Sequence, residues 1–79
     1  MKIEIAPPEM VAIPGVARMA QVRIEGETAE VAIATADLET RRRLKGTTFT
    51  MMDSEWLVTR ADVSAAAVTL ACRRTDDAR

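Results

Sequence analysis

The sequence has no histidine and no tyrosine, one cysteine (Cys72), and only two aromatic residues, Phe49 and Trp56. Each scarcity removes a class of function. Without histidine, the usual general base near neutral pH is missing, and so is the commonest neutral metal ligand. A single thiol forms no internal disulfide, and beside scattered carboxylates it makes no zinc site. Serine occurs only as Ser54 and Ser64, neither in a nucleophile-elbow pattern. The three glycines, Gly15, Gly26 and Gly46, lie too far apart for a phosphate-binding loop. Two aromatics are too few for a base-stacking platform. No apolar run approaches the roughly 20 residues needed to span a bilayer. Residues 2–5 alternate in polarity, unlike a signal peptide, so synthesis and retention in the cytoplasm are expected, as a free thiol also allows. Lys and Arg number 11 against 12 Asp and Glu, intermixed along the chain, which gives no global attraction to nucleic acid or membrane. The expectation is no enzyme, no cofactor and no metal.

What remains is a 79-residue chain with 48% apolar residues. A domain of this size buries only about 60% of the surface its unfolded chain exposes, and small scaffolds usually add a staple. With disulfide and metal excluded, association with other chains is the remaining support.

Period-two alternation dominates, the mark of half-buried strands. Ile3 and Ile5 share one face of a first short strand at 2–5. Val22 and Ile24 point inward at 21–25, a turn follows at Gly26 and Glu27, and alternation resumes at 30–34, which together predict a β-hairpin. Residues 47–52 alternate with Phe49 and Met51 on one face, a turn falls at Asp53 and Ser54, and 55–60 returns with Trp56 and Val58 inward. Residues 62–66 form a connection, and Val68, Leu70 and Cys72 line a final strand. Trp56 and Cys72 both read as core. Met51 and Met52 occupy opposite faces, so one of them is exposed.

Two segments break the pattern. Segment 7–15 carries Pro7, Pro8, Pro14 and Gly15, which exclude a central strand or a helix interior, and reads as a Pro-rich loop. Its apolar Met10, Val11 and Ile13 leave two readings open: the loop caps its own core, or it extends as an arm onto a neighbouring subunit. Segment 37–45 has the marks of one short α-helix: Asp37 as N-cap, Glu39 in the first turn, Arg43 and Lys45 in the last, and Gly46 as the left-handed stop. Leu38 and Leu44 would anchor it. The run from Arg73 onward lacks apolar periodicity, and 75–79 reads as a flexible tail. The predicted architecture is mainly β: one domain over 1–74, a small barrel or sandwich of about six strands with one short helix.

The stretch 31–74 is the most informative. An alternating strand runs through Asp37 and Leu38 into a basic short helix ending at Leu44, Lys45 and Gly46. Next come Thr48, Phe49 and Thr50, a tight turn, the return Trp56, Leu57, Val58, and a closing strand Val68 to Arg74. This pattern resembles the head–tail joining (tail-attachment) proteins of lambda-like tailed bacteriophages, over a little more than half the chain. The N-terminal third does not match. The resemblance implies a β-barrel or sandwich with a short helix, in a ring that is hexameric in that family, within the neck of the virion. It also implies synthesis in the bacterial host cytoplasm, and as partners the portal-side connector and the tail terminator or tube protein. A tail-completion or tail-tube-like ring is the near alternative. A small SH3-like or OB-like binding module, or a folded domain with no place in the virion, are the others.

Candidate interface residues follow from these readings. They are Met10, Val11 and Ile13 in the loop, Arg41, Arg42, Arg43 and Lys45 in the basic segment, and Met52 and Asp53 at the hairpin tip. The arginines have two readings, a solvated face paired with acids, or contact with a partner ring or with DNA passing through its channel.

Overall fold

The computed structural model describes residues 8–40 and 43–75. Six antiparallel strands form one sheet: β1 (Glu9–Ile13), β2 (Ala17–Glu25), β3 (Thr28–Ala34), β4 (Thr48–Met51), β5 (Ser54–Val63) and β6 (Ala67–Arg74). Their order across the sheet is β1-β2-β3-β6-β5-β4. The edge strands β1 and β4 approach one another, so the sheet curls into an open half-barrel.

Alternation builds the core. On the concave face Val22 lies opposite Val31, Val31 opposite Leu70, Ala29 opposite Cys72, Ile33 opposite Val68, and Phe49 opposite Trp56. All of these side chains are buried, and no buried residue of the core is charged. Trp56 is fully buried, and its indole N–H donates to the Met51 carbonyl oxygen at 3.2 Å. That bond removes the cost of an unpaired buried donor. Arg74 closes this end of the barrel, its guanidinium 5.2 Å from the Trp56 ring centroid and its Nη2 donating to the Gly26 carbonyl.

The turns explain how so short a chain reverses direction so often. Gly26 (φ 61) occupies the first position of the two-residue β2–β3 turn, the position that demands a left-handed residue in a type II′ hairpin. Pro14 and Gly15 (φ 82) link β1 to β2, with the Val16 N–H donating to the Ile13 carbonyl at 2.9 Å, in the arrangement of a type II turn.

Several expectations are corrected. The strand expected at 2–5 lies outside the described residues, and the first strand among those described starts later. It is β1, inside the segment expected to be a loop. Pro8 and Pro14 bracket this strand without interrupting it, and an edge strand tolerates such neighbours. No α-helix is present among the described residues. Where 37–45 was expected to be helical, a single 3-10 turn at Thr35–Asp37 is followed by extended backbone at Leu38. Asp37 makes no cap hydrogen bond there. It pairs instead with Arg18 at 3.3 Å, and Arg18 also donates to the Ala36 carbonyl. Leu38 bridges to Ala17, and the Glu39 N–H donates to the Val16 carbonyl at 2.8 Å. A two-turn helix has little stability of its own, so these cross-chain bonds to β2 prevail. Gly46 keeps its left-handed conformation (φ 89), but in a turn where the Thr47 N–H donates to the Leu44 carbonyl.

At the other hairpin, the left-handed pair is Met52 (φ 51) and Asp53 (φ 66), one residue earlier than expected. β5 continues to Val63 through the segment expected to be a connection. A bulge at Thr59 shifts the register between Val58 and Arg60 and reverses the alternation, so the period-two pattern breaks while the strand does not. Arg73 and Arg74 belong to β6, and the Thr75 N–H donates to the Glu55 carbonyl at 2.9 Å.

Candidate interaction surfaces

Three surfaces stand out from the curled sheet, and each follows from a departure of the chain from regular alternation. The first is on the convex face of β1 and β2. Met10 points outward, 59% exposed, and Met19, in the irregular stretch opposite Ala12, is 41% exposed. Val11 is half-buried against the core, and Ile13 is fully buried in it. Ile13 therefore serves this chain's own interior and is not available to a partner.

The second surface is the tip between β4 and β5. Met52 is exposed there while Met51, one residue earlier, is buried, as the opposite-face reading requires. Asp53 is exposed beside it.

The third is a groove of about 440 Å³ between the end of β5 and the segment that crosses from β3 to β4. Leu38 and Leu44 form one wall, Ala61 and Val63 the other, and Val68 lies between them. Val63 is 77% exposed although it sits on the concave side, opposite the buried Val68. Arg43 and Lys45 supply the charge, and no acidic residue among the described ones lines the groove. Its β5 wall is also an open sheet edge. The Ser64 N–H donates to the Ala67 carbonyl at 2.9 Å, which fixes 64 and 67 as a bonded pair. Antiparallel alternation then turns the main-chain groups of Ala61 and Val63 away from β6. β4 pairs with β5 only as far as Leu57, and the turn at Gly46 and Thr47 takes up Val58, so among the described residues no strand follows along this edge.

Of the residues singled out in the sequence, Arg43 and Lys45 meet at this groove, while Met52 and Asp53 sit at the tip, apart from them. Arg41 and Arg42 lie outside the described residues. Sequence reasoning missed Met19, Leu38, Leu44, Ala61 and Val63 as surface-forming residues. Strand-favouring residues run from Trp56 to Thr59, but Arg60, Ala61 and Asp62 break the pattern before Val63, so the sequence held little signal for it.

A larger depression, of about 590 Å³, lies over β2, β3, β5 and β6. Arg23 and Arg73 there are balanced by Glu25 and Glu30, which makes it a mixed, solvated face. Among the described residues, no three His, Cys, Asp or Glu side chains gather where a metal could be held. Cys72 is buried, and burial pushes its thiol up to about 11, well away from the range of a reactive thiolate.

Comparison with known proteins finds no matching family model, curated protein or solved structure.

Proposed function

We propose that this chain is a structural subunit of a tailed-phage particle, a head–tail joining protein whose copies form a ring in the neck. It acts by binding alone, between the portal-side connector and the tail terminator or tube protein, with DNA passing through the ring without sequence-specific contact. The observation that carries the reading is the exposure of Met10, Met19, Met52 and Val63 at three separate places on an 8.6 kDa body. Met10 and Met19 share one of these places and Val63 borders the apolar groove, and methionine suits contact surfaces because it is flexible and polarizable.

The resemblance over 31–74 adds support, since that stretch contributes β4, β5, β6 and both walls of the groove. A stand-alone peptide- or nucleic-acid-binding module would place aromatics in its groove, and here both Phe49 and Trp56 are buried. The test is deletion of the gene from the phage genome that carries it, followed by electron microscopy of the lysate. Filled or leaking heads beside unattached tails are expected. Intact particles at normal yield overturn the reading.

A further inference from the structure

The groove and the β4–β5 tip lie at opposite ends of one strand. β5 begins at Ser54, directly after the tip, and ends at Val63, on the groove wall. At ~3.3 Å per residue, its length separates the two by roughly 30 Å. A chain's own tip therefore cannot fill its own groove.

The two surfaces are chemical complements. The tip offers an unbranched apolar side chain, Met52, next to the carboxylate of Asp53. The groove offers an apolar floor and two cations, Arg43 and Lys45, with no acid among the described residues that line it. The tip is also held in a conformation that its residues do not favour. Both have positive φ, which costs a non-glycine residue roughly 1–2 kcal/mol, whereas Asn-Gly is the preferred pair for such a hairpin turn. Met52 is 42% exposed at the tip and is not part of the core formed by the described residues.

We propose that the tip of one copy inserts into the groove of the next, Met52 covering Val63 and the half-buried Leu38 and Ala61 while Asp53 meets Arg43 and Lys45. The inference rests on the ring reading above and assigns its contact. Donor and acceptor are different patches of the same chain, so the contact is heterologous. A growing row keeps one free tip and one free groove until it closes on itself. The open main-chain groups of Ala61 and Val63 lie along the same wall and offer hydrogen bonds to the entering turn.

The test uses Met52→Cys and Val63→Cys in separate full-length chains, both at exposed positions, mixed at neutral pH with a short bis-maleimide. The unmodified chain controls for Cys72. A covalent pair joining position 52 of one chain to position 63 of the other is expected, at about tenfold the yield of cross-linked pairs in either chain alone. Asp53→Arg in the first chain lowers that yield about tenfold, and Arg43→Glu with Lys45→Glu in the second restores it. Asp53→Cys with Lys45→Cys provides an independent pair if one variant folds poorly. Absence of both mixed pairs above the single-chain controls overturns the contact. Native mass spectrometry of the unmodified chain separates the two failures: rings without these links overturn only the contact, and monomers without them count against the ring as well.

Discussion

Cys72 shows how burial sets the behaviour of a single residue. It lies opposite Ala29 on one side and Val58 on the other, with no charged partner, and its thiol is raised from 9.0 to about 11. Below about pH 9 the thiol is protonated in both folded and unfolded chains, and its contribution to stability is fully present. As pH rises from 9 toward 11 the unfolded thiol ionises first, so the unfolded state is favoured and stability falls, by about 2–3 kcal/mol across the window. Urea unfolding at pH 8, 9, 10 and 11 should show this loss, and Cys72→Ala should show a shallower one. Equal slopes for the two chains would remove the thiol as the cause. The places of Cys72 and Trp56 were legible in the sequence because each sits in a run of unbroken alternation. Ile13 was not legible, because two prolines and a glycine around it resemble a loop until the partner strand is known.

At the scale of elements, the turns divide into relaxed and strained. Gly15, Gly26 and Gly46 occupy left-handed positions at little steric cost, while Met52 and Asp53 occupy two more without that freedom. Replacing the pair by Met52→Asn with Asp53→Gly should stabilise the fold by roughly 1 kcal/mol, a rise in melting temperature of some 4–8 °C. The same variant should lose the intermolecular link to position 63. A more stable chain that assembles less well separates the folding role of the tip from its binding role. A variant that melts lower would contradict the assignment of strain. The β2–β3 and β4–β5 hairpins were legible, since their apolar faces alternate up to a short turn. The helix over 37–45 was misread for a physical reason. Its capping and charge signals are local, whereas what decides the segment is the reach of Val16, Ala17 and Arg18 on a strand some twenty residues earlier. The full length of β5 was hidden by one extra residue, Thr59, which turned Ala61 and Val63 to the concave face, where unbroken alternation would have placed Arg60 and Asp62.

For the whole molecule, the curl of the sheet gathers the apolar residues inward but leaves uncovered surface at its ends. The crossing segment covers one end with Leu38 and Leu44 and still leaves the groove beside Val63; Arg74 covers the other beside Trp56. The sequence carried half of this site. Arg43 and Lys45 stood out as charge, and Met52 with Asp53 as a tip, but the opposing wall comes from the far end of β5, beyond the bulge, and appears only once the sheet is curled. In the proposed ring, each copy would cover what its neighbour leaves open. Quantitative mass spectrometry of purified phage particles tests that claim most directly. The account predicts this chain in every particle at a small fixed copy number equal to one ring. Its absence from mature particles, or a variable trace that washes away, would contradict it.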